Sequence, residues 1–133
     1  ENKIAFDDKL VQYCYHGGMI YAEIEEAIGR LLKGKQRPDA ILTASDRITI
    51  SCLTALRNAG INIPGDMALI GFSNTNMADL INPPLSAVRQ PAFEMGQVAT
   101  EMLIQIIESK RPVTEFETRI LETELFIRNS SQK

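Results

Sequence analysis

Short apolar runs alternate along the chain with longer stretches in which apolar residues recur every three or four positions. The recurring pattern predicts helices over 19–33, 48–59 and 93–108. The short runs predict strands over 10–13, 40–44, 68–72, 85–89 and 119–128. Because strands and helices alternate, we predict an α/β domain in which helices flank a mainly parallel sheet.

The predicted strands differ in how many faces they bury. Segments 40–44 (AILTA) and 68–72 (ALIGF) are almost entirely apolar, which is typical of parallel strands covered on both faces. Segment 119–128 alternates between polar and apolar residues, which predicts a final strand with one buried face. The polar tail that follows, 129–133, is expected to be frayed.

The helix predicted over 93–108 carries two apolar stripes. One stripe consists of Phe93, Gly96, Ala99, Leu103, Ile106 and Ile107, and the other of Met95, Val98 and Met102. A helix that is apolar on two sides needs packing partners on both of them.

Polar residues follow three of the predicted strands, in segments 14–17, 44–47 and 72–75. In a parallel sheet, ligands bind outside the carboxyl ends of the strands, close to helix N-termini. The sequence therefore predicts a polar cleft at this edge of the sheet.

Several residues of that cleft admit more than one interpretation. Asp46 is either the cap of the helix that follows it, or, if Ser45 is the cap, a carboxylate that accepts hydrogen bonds from a ligand. Arg47 is an ion-pair partner, a ligand contact or a solvated cation. Tyr15 either stacks on a sugar or base or packs in the core or at the rim, and Asn74 either forms a turn or offers its amide to a ligand.

Composition narrows the classes of function. A chain of 133 residues that is 44% hydrophobic is long enough for one domain with a core. Its 14 basic and 17 acidic residues give a net charge of −3, so direct contact with DNA or RNA is not expected.

We find neither a transmembrane run nor a signal peptide. Because the chain opens at Glu1, we expect a processed protein or a fragment.

Metal, cofactor and catalytic chemistry have little support. His16 is the single histidine and lacks partners at metal-ligand spacing, and no glycine-rich phosphate loop is present, so we expect neither a metal nor a cofactor. Cys14 and His16 suggest the hypothesis of a small hydrolase or transferase, but no oxyanion element or orienting acid accompanies them. We therefore expect no catalytic residue. Cys52 is expected in the core, and two cysteines fit a reducing compartment.

A set of motifs in fixed order resembles the effector-binding domain of the LacI/GalR family of transcriptional regulators. The motifs are 37–46 (RPDAILTASD), 56–60 (LRNAG), 63–66 (IPGD), 69–72 (LIGF), 82–91 (NPPLSAVRQP), 95–96 (MG) and 123–128 (TELFIR). Each is weak alone, but their order and spacing are specific, and the resemblance as a whole runs over about residues 9–131.

The resemblance implies a periplasmic-binding-protein-like fold. Residues 9–90 and 118–129 would form its C-terminal subdomain, and 91–110 a crossover helix of the N-terminal subdomain. The DNA-binding helix-turn-helix, the hinge helix and most of the N-terminal subdomain have no counterpart, so 1–133 is expected to be a partial effector-binding domain.

The implied partners are a small-molecule effector, a second copy of the chain and operator DNA. The effector would be a sugar, a sugar phosphate or a purine or nucleoside, and the DNA would be bound through the missing domain. The resemblance places such a regulator in the cytoplasm with no membrane contact. A periplasmic sugar-binding protein of a transporter is the alternative.

The resemblance also assigns residues. Asp46 matches the family's acidic effector contact and Tyr15 its stacking aromatic, and we predict that Arg47 and Asn74 join them. Where the family commonly has an acid after Gly-Phe, this chain has Ser73. The implied dimer interface includes Ile48, Cys52, Met77, Leu80, Ile81 and Leu85.

The resemblance has a consequence for the helix over 93–108. It would pack in the N-terminal subdomain, so without that subdomain we expect the stripe of Met95, Val98 and Met102 to be exposed. We also expect this helix to find a substitute partner by self-association or a swapped arrangement.

Overall fold

A computed structural model describes residues 6–35, 37–109 and 116–132. Four strands form one sheet in the order β1 (Ala40–Thr43), β2 (Ala68–Phe72), β3 (Ser86–Arg89) and β4 (Glu124–Phe126). The first three strands are parallel, and β4 is antiparallel to β3. The predicted α/β class with a mainly parallel sheet is confirmed.

The helices are α1 (Tyr21–Lys33), α2 (Asp46–Asn58) and α3 (Ala92–Ser109), with short 3₁₀ turns at Asp8–Leu10 and Asn129–Ser131. Helices α1 and α2 pack against each other, and α2 packs against β1 and β2. Their apolar faces and the strands share one core, whose fully buried larger aliphatic side chains are Ile24, Leu56, Met67, Leu69 and Leu85.

Helix α2 packs closely against the sheet at a residue that has no side chain, Gly71 of β2. A Cβ atom on Gly71 of β2 would lie 2.9 Å from Cγ2 of Thr49, so only glycine fits there without a shift. The hydroxyl oxygens of Thr43 and Thr49 lie 2.7 Å apart, and Thr49 Oγ1 also donates to the carbonyl of Ser45 at 2.7 Å. These buried hydroxyls are therefore satisfied, and they fix the start of α2 at the carboxyl end of β1.

The strand predicted over 10–13 is wrong. Asp7 accepts a hydrogen bond from the backbone N–H of Lys9 at 3.0 Å and begins the 3₁₀ turn at Asp8–Leu10, and residues 11–14 are irregular. An aspartate that bonds to a backbone amide two residues later competes with extended structure, a local effect that the apolar pattern does not contain.

The final strand is shorter than predicted, since only Glu124–Phe126 of segment 119–128 pairs with β3. Residues 119–123 run beside α3, where Arg119 and Leu121 line a cavity of about 330 Å³ together with Val98 and Met102. Contact with the helix therefore replaces strand pairing in this half of the segment.

The C-terminal tail is ordered rather than frayed through residue 132, which corrects the expectation from its polarity. Ser130 is buried, and its hydroxyl donates to the carbonyl of Leu69 at 2.6 Å and accepts from the N–H of Ser86 at 2.8 Å. The tail thus satisfies backbone groups of two strands with one small polar side chain.

Helix α3 has no buried residue along its length. The expected exposure of the stripe of Met95, Val98 and Met102 is wrong for two of the three, because Val98 and Met102 are half-buried beside segment 119–123. The other stripe is the exposed one, with Phe93 81% and Leu103 56% exposed.

Candidate functional site

Asp46 lies at the carboxyl end of β1 as the first residue of α2. Ser45 is the N-cap, and its Oγ accepts a hydrogen bond from the N–H of Ile48 at 3.4 Å. Asp46 instead accepts a hydrogen bond from the hydroxyl of Ser73, which follows β2. Of the two interpretations of Asp46, the structure therefore selects the one in which Ser45 caps the helix and the carboxylate is directed elsewhere.

Tyr15 lies in a tight turn beside the start of α2. The turn needs two glycines with positive φ, 59° at Gly17 and 84° at Gly18. A Cβ atom on Gly18 would lie 3.0 Å from the Cβ of Arg47 and from the backbone N of Ile48, so the turn sits directly on the first residues of α2. This contact brings the predicted residues Tyr15, Asp46 and Arg47 to one edge of the molecule.

The ring of Tyr15 is 87% exposed, and Arg47 is exposed as well. Packing of the ring at the rim is excluded in this structure, which leaves its face available for stacking. The carboxylate of Asp46 keeps acceptor capacity beyond its single hydrogen bond from Ser73.

A carboxylate beneath the turn holds it in place. Glu23 accepts hydrogen bonds from the backbone N–H of Tyr15 at 2.6 Å and of His16 at 3.4 Å, and its Oε2 lies 3.5 Å from Nδ1 of His16. Burial acts to raise the pKa of Glu23, but the two amide donors and the neighbouring His16 outweigh it, so the pKa is lowered from 4.5.

Asn74 is engaged in structure, and its predicted place among the effector contacts stays a prediction. Its Nδ2 donates to the carbonyl of Gln90 at 3.1 Å, and its Oδ1 accepts from the N–H of Gln90 at 2.8 Å. The amide thus ties the residue after β2 to the residue after β3, and one N–H donor and one acceptor lone pair of the side chain remain.

The residues predicted for the dimer interface fall into three groups. Cys52 and Leu85 are buried in the core, which removes both from any surface. Ile48 and Ile81 are half-buried and pack against that core. Met77 and Leu80 are 60% and 78% exposed, and they remain available to a partner.

The two thiols are poorly placed for nucleophilic chemistry. Burial, followed by the nearby Cys14, raises the pKa of Cys52 to about 12, and Cys52 lies in the core as predicted. Burial and the charge of Glu23 also raise the pKa of Cys14. A raised pKa keeps a thiol protonated at neutral pH. The hypothesis of a Cys14–His16 dyad gains no support.

Among residues 6–35, 37–109 and 116–132, no three His, Cys, Asp or Glu side chains are grouped for a metal ion. None of the helices in these ranges has the length and apolar character to cross a membrane.

Sequence reasoning missed two residues of this edge, Ser73 and Glu23. Ser73 was noted only as replacing an acid, although a hydroxyl directly after a strand end is within reach of the neighbouring strand end. Glu23 stands three residues after the N-cap Ile20, the position at which a glutamate turns back toward the chain before a helix. That position was a usable signal.

Comparison with known proteins agrees with this architecture. The sequence model of the family described as periplasmic binding protein-like domain matches residues 7–131. The chain is 37% identical over 103 residues to a lactose operon repressor of Rhizobium radiobacter, covering 77% of this chain and 88% of that protein.

Longer relatives are matched over part of their length. The chain is 33% identical over 112 residues to the HTH-type transcriptional regulator RegA of Clostridium acetobutylicum, covering 84% of this chain and 32% of the relative. A solved complex of the transcriptional regulator CelR with cellobiose superposes with a TM-score of 0.79 at 30% identity, over 96% of this chain and 38% of that one. The chain thus spans about a third of the length of such relatives.

Proposed function

The chain belongs to the LacI/GalR family of transcriptional regulators, within the periplasmic-binding-protein-like domain, and from this premise we propose that it is the effector-sensing and dimerisation part of a repressor-like regulator. In this proposal it is not an enzyme and acts in the cytoplasm. Residues outside this chain contact operator DNA, which fits the net charge of −3.

The observation that carries the proposal is the arrangement at the carboxyl edge of the sheet. Because Ser45 caps α2, the carboxylate of Asp46 is free to accept hydrogen bonds from ligand hydroxyl or ring N–H groups. The exposed ring of Tyr15 lies on a turn seated against the same helix start. An acceptor beside an aromatic face suits a sugar or a nucleoside, and Arg47 adds a cation that suits a sugar phosphate.

The relatives favour a regulator over a transport receptor. RegA, CelR and the Rhizobium repressor are all named as regulators of transcription. Regulation then follows from linkage: an effector that binds one conformation of the regulator more tightly shifts the population toward it, and with it the affinity for operator DNA.

Dimerisation is proposed through the exposed apolar side chains of Met77 and Leu80 on the loop before β3. Ile50, on the outward side of α2, is exposed as well. Large apolar side chains that remain exposed are typical of protein–protein contacts.

The test is the substitution Asp46→Asn or Asp46→Ala in the full regulator. We expect loss of the effector response with unchanged operator binding, measured by fluorescence anisotropy of labelled operator DNA. The control is Asp39→Asn, since Asp39 is an exposed acid at the opposite end of β1. An unchanged response in the Asp46 variants would remove this residue from the site.

The chemical class of effector is tested by calorimetric titration with cellobiose, glucose 6-phosphate and adenosine. Binding that requires Asp46 for one of them identifies the class. If substitution of Arg47 weakens the binding of glucose 6-phosphate alone, the guanidinium contacts the phosphate. If Asp46→Ala leaves every titration unchanged, the proposed site is wrong.

A further inference from the structure

Helix α1 begins without a side-chain cap, because its N-cap is Ile20, which has no polar side-chain atom. Glu23 stands in the first turn, where a glutamate can bond back to the N-cap amide. In this chain its carboxylate reaches further back, to the adjacent amides of Tyr15 and His16. One side chain therefore links the first turn of α1 to the turn that carries Tyr15.

The exposure of the groups shows which of them faces the solvent. The side chain of Glu23 is 17% exposed, whereas His16 is 59% exposed and the ring of Tyr15 is almost fully exposed. The carboxylate thus lies beneath the backbone of the turn, and the rings project outward. It grips the backbone of Tyr15 while leaving the ring free.

The same turn is closed by two further contacts. The N–H of Gly17 donates to the carbonyl of Cys14 at 3.2 Å, and the N–H of Met19 donates to the carbonyl of His16 at 3.0 Å. These bonds set the shape of the turn, but both lie inside it. Glu23 and the contact of Gly18 with the start of α2 fix the turn against the rest of the molecule.

We propose that Glu23 is a positioning residue for effector binding, which holds the backbone of Tyr15 so that its ring lies beside the carboxylate of Asp46. The assignment rests on the proposed function. Glu23 contacts the turn and not the ligand, so its effect on binding passes entirely through Tyr15.

The titratable groups around the carboxylate of Glu23 lie on the turn and on α1. His16 faces it from the turn, and the nearby Cys14 thiol is affected by the charges of both Glu23 and Arg30. The lowered pKa of Glu23 agrees with a carboxylate that is held by amide donors in its charged form.

The first experiment needs no ligand. In ¹H–¹⁵N spectra of the chain between pH 3 and pH 7, the amides of Tyr15 and His16 are expected to shift together with a common midpoint below 4.5, as Glu23 is protonated. In Glu23→Gln this midpoint disappears, and in the control Glu26→Gln, which changes an exposed acid of the same helix, it stays. Amides that do not titrate in the wild-type chain would overturn the proposal.

The second experiment measures cellobiose binding to the full regulator by calorimetry in a double-mutant cycle. Glu23→Gln is expected to weaken binding about tenfold, and to have no further effect in a Tyr15→Ala background. Glu26→Gln should leave binding unchanged. An equal loss from Glu23→Gln with and without Tyr15 would show that Glu23 does not act through the ring, which contradicts the proposal.

The two experiments separate the failure of this assignment from that of the proposed function. If cellobiose does not bind the full wild-type regulator, glucose 6-phosphate and adenosine replace it in the cycle. If none of the three binds, the proposed effector classes are wrong, and the amide titration alone decides whether Glu23 positions Tyr15.

Discussion

All three helices carry apolar faces, but those of α1 and α2 are buried, whereas no residue of α3 is buried. Helices α1 and α2 bury their apolar faces against each other and the sheet, and Leu56 and Leu69 are completely buried between them. Helix α3 is longer and more apolar in composition, yet none of its residues is buried. An apolar pattern makes a helix able to form a core, but burial also requires a surface of matching shape opposite it.

The sharpest test of this comparison is a pair of identical truncations. Leu56→Ala is expected to lower the free energy of unfolding by about 2–5 kcal/mol, since it removes a buried side chain and leaves a cavity. Leu103→Ala, on the exposed side of α3, is expected to change it by less than about 0.5 kcal/mol. Urea denaturation at low protein concentration measures both. Equal losses would show that α3 belongs to the cooperative core.

The second prediction concerns the buried hydrogen bonds by which Ser130 of the C-terminal tail contacts β2 and β3. Ser130→Ala leaves the N–H of Ser86 and the carbonyl of Leu69 without this buried partner, so a loss of about 1–3 kcal/mol in unfolding free energy is expected. The neighbouring exposed residue provides the control, Asn129→Ala. If Ser130→Ala unfolds at the same urea concentration as the wild-type chain, the tail is not a structural element.

The third prediction concerns what covers α3. We expect the isolated chain to self-associate through the exposed stripe that includes Phe93, Leu103 and Ile107, because exposed apolar surface of this extent is costly in water. Leu103→Lys should weaken association about tenfold, measured by sedimentation equilibrium. As a control, Gln105→Lys adds the same charge at an exposed polar position of the helix. A wild-type chain that sediments as a monomer at every concentration would contradict this expectation.

The smallest effect is expected from pH. The folded-state pKa of Glu23 lies below 4.5, so folding favours its charged form. Its contribution to stability is therefore complete above pH 4.5 and is lost as the pH falls through the folded-state pKa. Glu23→Gln should lower the Tm slightly at pH 7 and hardly at pH 3, followed by circular dichroism. A larger difference at pH 3 than at pH 7 would reverse the sign and contradict the assignment.

Much of the fold was predictable from local pattern. Helices α1 and α2 and strands β1 and β2 were found within two residues of their observed ends, because apolar periodicity, glycine stops and buried strand runs all agree there. Segment 119–128 was predicted too long, since alternation does not reveal whether a neighbouring strand or a helix lies beside it.

The candidate site, like the fold, was predictable only in part. Asp46 and Tyr15 were predicted from their place after predicted strands and from the resemblance to the LacI/GalR family. The engagement of Asn74 with Gln90 and of Ser73 with Asp46 joins residues 16 and 27 positions apart. Such pairs depend on which strand ends are neighbours, which sequence spacing does not specify.

By itself, the sequence determined the α/β class, most elements and the edge of the sheet where polar residues gather, because periodicity and capping are local properties of the chain. Only the tertiary structure decided between the two possible caps of α2, placed Leu85 inside the core and left one face of α3 exposed. It also recruited Glu23 beneath the turn of Tyr15. The physical reason is that hydrogen-bond partners and packing surfaces are chosen by proximity in space, which folding creates from residues far apart in the chain.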